Sequence, residues 1–247
     1  MQTATPPTTA RPVMRTAMST IARHVDTLRQ LLRLPRASLR FETRLAPDDI
    51  PAVHRLFTKP HPRYRIIGNK TVGAALVDLG RFADVAAYLD AIAGKNRGAW
   101  HARRARARGY VCRPIDRNAH VDEIHAINTA LETRQGRPID DGYLRKTARF
   151  EAQAHYDYYG VLDASGRLVA YGNIARYGNF SAFSQLMGLR SNDGIMHLLV
   201  VDVIARLLER QEVRYVMYDT FFGAQPGLQH FKRILGFEPF HVTYSLQ

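Results

Sequence analysis

Two apolar periods alternate along this chain, and they divide it into recognisable segments. Ala46-Pro47-Asp48-Asp49-Ile50-Pro51 opens a short helix that continues through Val53, Leu56 and Phe57. Lys59-Pro60-His61-Pro62-Arg63 is a loop. The mostly apolar run Thr71–Leu79 predicts a strand that ends at Gly80. Phe82, Val85, Leu89 and Ile92 then recur at helical spacing until Gly94 interrupts. Alanine and arginine dominate residues 97–108, which predicts a second helix closed by Gly109.

From Tyr110 the texture changes. Tyr110–Arg113 reads as a strand, and Val121, Ile124, Ile127 and Leu131 mark an amphipathic helix. Asp122 and Glu123 in its first turn complement the helix dipole. After the Gln135-Gly136-Arg137-Pro138 loop, a further helix is expected from about Asp141 to Glu151. Three strands follow at Tyr158–Leu162, Arg167–Tyr177 and Ser181–Leu189, separated by turns at Asp163-Ala164-Ser165-Gly166 and around Asn179. Residues 195–209 form a helix apolar on most sides, and therefore a buried one. A strand at Val213–Tyr218, a helix at Pro226–Leu235 and a last strand at Phe237–Leu246 complete the order. An antiparallel meander followed by helix, strand, helix and strand is a mixed α/β arrangement, neither doubly wound nor a sandwich.

Composition adds exclusions. The 247 residues are 46% hydrophobic and 23% charged, as in an ordinary folded globule. No apolar run reaches the roughly 18 residues of a membrane span. A single cysteine, Cys112, excludes an intramolecular disulfide framework, and on a short apolar strand it reads as a buried small hydrophobe. The ten histidines are scattered without metal-ligand spacing, so no metal is expected.

Charge is the unusual quantity: 35 basic against 22 acidic residues give +13. Its location matters more than its size. Residues 1–40 hold seven arginines and one acid, Asp26, while 95–108 hold Lys95, Arg97, Arg103, Arg104, Arg106 and Arg108 with no acid. The first segment reads as a basic, partly disordered leader over 1–40, with an amphipathic helix from about Ser19 to Leu34 stopped by Pro35. That helix either docks loosely with a solvated face or makes peripheral contact with an anionic membrane. A cytoplasmic location is expected, with a cleaved leader as the alternative.

The order of elements resembles the GNAT acyltransferase superfamily over roughly residues 110–247. Ser181–Leu189 leads through a turn into a buried helix, as where that superfamily binds the pyrophosphate of coenzyme A. Phe231-Lys232 followed by Gly236-Phe237 is similar to the Fem-like branch, which transfers acyl or aminoacyl groups onto amines. Phe82–Arg108 resembles the helix before the second acyltransferase domain of such chains, so residues 41–109 correspond to a shortened first domain. The superfamily's loop, Gln/Arg-x-x-Gly-x-Gly/Ala, is here Arg190-Ser191-Asn192-Asp193-Gly194-Ile195-Met196, with one glycine and an acid beside it.

The resemblance implies an N-acyltransferase with an α/β (α+β), GNAT-like mixed sheet, an antiparallel meander and flanking helices. Its donor would be acyl-CoA, another thioester such as an acyl carrier protein, or aminoacyl-tRNA. The acceptor would be a small-molecule or peptide amine. Met187, Gly188, Leu189, Arg190, Asn192 and Gly194 would hold the donor. Asp219, Lys232 and His197 would be catalytic, against readings as a turn residue, a solvated lysine and a packed histidine. Arg134, Arg137, Tyr143 and Asn173 would contact the acceptor, against a salt-bridged loop and sheet packing. The superfamily's usual tyrosine acid in the last helix has no counterpart at Phe231-Lys232. A second function class stays open: a non-catalytic nucleic-acid or anionic-membrane binder that uses segments 11–40 and 95–108.

Overall fold

Alternation of side chains builds the first strand, β1 (Arg36–Phe41), where Ala37, Leu39 and Phe41 are buried while Arg36, Ser38 and Arg40 face water. The computed structural model describes residues 33–247 except 63, 64, 66, 132, 135, 136 and 223. Two compact units divide the chain, Met1–Pro35 and Arg36–Gln247. The helix expected over Ser19–Leu34 lies outside the described residues but for Arg33 and Leu34, which are not helical. Arg36–Arg40, expected as part of the leader, belong to β1 instead. The arginines masked an alternation that the sheet uses.

The second unit continues with α1 (Ile50–Thr58), β2 (Val72–Asp78), α2 (Val85–Ala91), α3 (Gly98–Ala107) and β3 (Val111–Pro114). Next come α4 (Val121–Thr129), a two-residue ladder of β4 (Thr133–Arg134) with β5 (Arg137–Pro138), and α5 (Asp141–Leu144). The meander is β6 (Tyr156–Leu162), β7 (Leu168–Arg176) and β8 (Phe180–Gly188). It is followed by α6 (Ile195–Arg210), β9 (Tyr215–Thr220), α7 (Pro226–Ile234) and β10 (Glu238–Leu246).

The helix expected over Asp141–Glu151 ends at Leu144. Tertiary hydrogen bonds outcompete it. Asn118 Nδ2 donates to the Phe150 carbonyl at 3.1 Å, and the Phe150 N–H donates back to Asn118 Oδ1 at 2.8 Å. Arg117 donates to the Glu151 carbonyl at 2.6 Å and lies over the Phe150 and Tyr158 rings. These side-chain bonds claim the backbone groups that helical turns would need.

One mixed sheet of eight strands runs in the order β1-β10-β2-β9-β8-β7-β6-β3. β1 is parallel to β10 and β8 is parallel to β9; the other neighbours are antiparallel. This is the mixed α/β architecture with a central meander that the element order predicts. The boundary expected near residue 110 falls inside this sheet, because β2 lies between β9 and β10.

On one face α6 is buried against Val161, Val169, Ile174 and Phe183 of the meander, together with α2 and α3. The alanine stripe Ala99, Ala102 and Ala105 lets α3 approach closely, and Ala102 and Ala105 are fully buried. Arg106 and Arg108 form ion pairs with Asp202 and Asp193, so two charges of the basic segment are neutralised within the fold. The opposite face carries two clusters. Ile50 and Phe57 of α1 cover Phe41, Ala175, Phe180 and Met217. Ile124 and Ile127 of α4 cover Leu168, Tyr171 and Met187. Asn173 lies between these two clusters, beside Gln185.

Candidate active site

β8 and β9 separate part-way along their length, and this departure positions the site. They pair at Phe180 with Tyr215, Ser181 with Val216 and Ala182 with Met217, and no further. β8 runs on to Gly188 and β9 to Thr220. A bulge in β8 helps the divergence: Ile174 faces Phe183 but Asn173 faces Gln185, which leaves Ser184 as the extra residue.

The gap holds a cavity of about 240 Å³. Leu186, Met187 and Gly188 line it from β8, Tyr218 from β9, Met196 from α6, and Leu228 and Phe231 from α7. Ile127, Leu131 and Ile139 close its other side. Met187 and Ile127 belong to the α4 face, whereas Leu186 and Met196 belong to the α6 face. The cavity is therefore lined by residues from both faces of the sheet, where β8 and β9 are no longer paired.

Ladder geometry orients the β8 amides. The Leu189 N–H donates to Val169 at 2.9 Å. Alternation in an antiparallel ladder then directs the Met187 N–H to β7 as well and turns the Gly188 edge toward the gap. A Cβ on Gly188 would lie 2.5 Å from Met196 Sδ, so a larger residue here would have to displace the Met196 side chain. Of the expected donor residues, Met187 and Gly188 line the cavity. Arg190 and Asn192 are exposed on the connection to α6.

Gly194 starts α6 with φ +88°, where an added Cβ would lie 2.5 Å from the His101 carbonyl oxygen. α3 thus packs directly on the start of α6. Asp193 beside it is engaged twice, by Arg108 and by the Tyr110 hydroxyl, which donates at 2.9 Å. Its own N–H donates to Ser191 Oγ at 3.0 Å.

Lys232 is 1% exposed, which excludes the solvated reading. Its Nζ donates to the Thr220 carbonyl at 2.7 Å and lies 4.7 Å from the centre of the Tyr218 ring. Burial pushes this ammonium down to about 8, opposed by Asp219. His197 stacks on His101 at 4.2 Å and lies 4.8 Å from Phe231. Burial lowers it to about 4, with His101 and His230 adding repulsion. Phe231 and Tyr218 form the cavity wall, and His197 and Lys232 contact those rings without lining the cavity. Asp219, at φ +52°, is 58% exposed and pairs with Lys70 at 3.0 Å, also outside the cavity lining.

The expected acceptor residues are dispersed. Arg134 and Arg137 are paired backbone positions of the β4–β5 ladder, and Ile139, two residues on, lines the cavity. Tyr143 packs against the α4 cluster. Asn173 Nδ2 donates to Gln185 at 2.8 Å, while its buried Oδ1 has no hydrogen-bond partner among the described residues. Sequence reading missed Tyr218, Met196 and Leu228 as site residues. Strand parity puts Tyr218 and its neighbour Asp219 on opposite sides but does not say which of the two faces the gap.

Cys112 is buried, and burial pushes its thiol up to about 12, as suits a packing residue. Among the described residues no group of three or more His, Cys, Asp or Glu is placed to hold a metal ion. No described helix is long and apolar enough to cross a membrane.

No protein-family model matches the chain, and no curated protein matches its sequence. Several solved structures match it over part of their length. FemX matches with a TM-score of 0.48 at 10% identity, over 68% of this chain and 59% of its own. L-PGS from Bacillus licheniformis matches with a TM-score of 0.44 at 16% identity, over 69% and 58%. This chain therefore spans less than two thirds of either protein. A GCN5-related N-acetyltransferase from Kribbella flavida matches over 83% of this chain and 77% of its own, with a TM-score of 0.42 at 13% identity.

Proposed function

We propose that this protein is an acyltransferase that moves an acyl or aminoacyl group from an activated donor to an amine by direct attack. The observation that carries the reading is the cavity between β8 and β9, which residues of both sheet faces line. Two reactants approaching from opposite faces could meet there. Holding them in line supplies much of what such a reaction needs.

In the proposed step the amine nitrogen attacks the donor carbonyl carbon. A C–N bond forms, the C–S bond of a thioester (or the C–O bond of a tRNA ester) breaks, and the amine proton leaves to a base. The departing thiolate or alkoxide takes up a proton. The Gly188 amide edge is the candidate to polarise the carbonyl oxygen. Met187, Leu189, Arg190, Asn192 and Gly194 would frame the donor, with the first turn of α6 attracting its phosphates. Lys232, acting next to Tyr218, would stabilise negative charge as the leaving group departs. Asp219 and His197 are proposed in supporting acid–base roles, and Arg134, Arg137, Tyr143 and Asn173 as acceptor contacts.

Acyl-CoA, acyl carrier protein and aminoacyl-tRNA are all anionic donors, and Arg103 and Arg104 of α3 remain to meet them. The binding-only alternative draws less support from α3, because Arg106 and Arg108 are ion-paired to acids of the same fold. A thermal-shift screen tests the proposal, since a bound donor raises the melting temperature by mass action. Acetyl-CoA, long-chain acyl-CoA, acyl carrier protein and aminoacyl-tRNA are the probes. Stabilisation by at least one is expected. No shift with any of them would remove the donor-site reading.

A further inference from the structure

The walls of the cavity are chemically one-sided. Among the described residues every lining residue is uncharged, and apart from Gly188 and the Tyr218 hydroxyl the lining side chains are apolar. Met187 and Met196 contribute flexible thioethers that adapt to an aliphatic occupant. The volume, about 240 Å³, can be set against the roughly 150 Å³ that suffices for an apolar protein cavity to take up benzene. By that measure the space suits a group of about six to ten carbons.

The charges around the cavity add a second, independent constraint. Lys232 Nζ lies 4.7 Å from the centre of the Tyr218 ring and is bound to the Thr220 carbonyl. Asp219 is engaged with Lys70 and contributes nothing to the lining. A cation therefore stands close to the cavity wall while, among the described residues, no carboxylate lines the space. A second ammonium brought into this space would be desolvated, repelled and unpaired.

We infer that the transferred group is a neutral, medium-length acyl chain, seated in the cavity between β8 and β9, and that an aminoacyl group is discriminated against. This inference rests on the donor-site reading and narrows it. An acyl chain buries its methylenes against Ile127, Leu186 and Phe231 and leaves its carbonyl at the Gly188 edge. An aminoacyl group of the same skeleton would carry its α-ammonium into the same apolar space, on the carbon next to the carbonyl.

Isothermal titration at pH 7 with N-acetylcysteamine thioesters of graded chain length tests the inference. Affinity is expected to rise about threefold to fourfold per methylene from acetyl to octanoyl. The gain should then level off before palmitoyl, once the cavity is full. The decisive pair is 4-methylpentanoyl and leucyl thioester, which share a carbon skeleton and differ by the α-ammonium. Leucyl is expected to bind at least tenfold more weakly. Leu228→Trp, which fills one wall, should cost the octanoyl thioester at least tenfold in affinity. If that variant does not fold, the matched pair still decides. Equal or tighter binding of leucyl, or no dependence on chain length, overturns the inference and leaves the donor site standing. No binding of any thioester overturns the inference, and only a thermal-shift screen that is also negative with every phosphorylated donor overturns the donor site with it.

Discussion

Lys232 donates its side-chain proton to the Thr220 carbonyl at 2.7 Å, joining α7 to the end of β9 from inside the core. Thr220 lies at the point where β9 has already left β8, so this bond holds one side of the gap in place. A buried lysine is costly unless it is paired, and here a carbonyl and an aromatic face supply the partners.

That environment gives Lys232 a stability signature. Its folded-state value of about 8 lies below the ordinary lysine value of 10.5. Between those limits the unfolded chain binds a proton that the folded chain does not, so stability rises with pH across this window. Lys232→Met keeps the aliphatic bulk and should lose that rise. Urea unfolding of both proteins at pH 7.5, 9 and 10 measures it, and parallel curves would contradict it.

The His101–His197 stack predicts the acid limb. Burial lowers both imidazoles, His197 to about 4. The folded state thus binds fewer protons than the unfolded state between the usual 6.5 and that value, and stability falls as pH drops through this range. The full effect at His197 is on the order of 3 kcal/mol. His197→Phe retains a ring against Phe231 and should flatten the loss between pH 6.5 and 4.5, as read by denaturant midpoints.

Gly194→Ala meets two obstacles together, a left-handed φ of +88° and a contact at 2.5 Å with the His101 carbonyl oxygen. A cost of about 1–3 kcal/mol follows. Chemical denaturation measures it, and a change below about 0.5 kcal/mol would show that α3 yields easily at this point.

Asp193→Asn probes the start of α6. The substitution removes an anion from a helix N-terminus and frees Arg108, so affinity for acetyl-CoA should rise about twofold to fivefold. Unchanged affinity in a titration at low salt would mean that the donor phosphates bind elsewhere.

Much of the architecture was legible in the sequence because its periods are long and uninterrupted. The meander and α6 carry patterns of seven to sixteen residues, and the observed elements fall within two residues of the expected ones at most ends. Short elements dominated by tertiary contacts were less legible. β1 alternates over only six residues, three of them polar, and its arginines suggested a leader. Phe150 and Glu151 left a helical pattern for the side chains of Asn118 and Arg117, which lie more than thirty residues away. At the site, Met187 and Gly188 could be located from the strand itself, because a strand end near a helix start is a local feature. Tyr218 could not be separated from Asp219, since the direction each faces depends on how β9 meets β2, where the register slips between Ala74 and Leu76.

The placement of β2 has a consequence for how the chain reaches its folded state. Both neighbours of β2 come from residues 215–246, well over a hundred positions later, and β1 depends on the same stretch. During synthesis these two early strands emerge with nothing to pair with, while the β6–β8 meander can close on itself. Their apolar faces and open backbone edges must wait for almost the last segment of the chain. Assembly should therefore be slow, limited by the capture of β2 between β9 and β10. A chain halted before Tyr215 should be prone to aggregate through exposed edges.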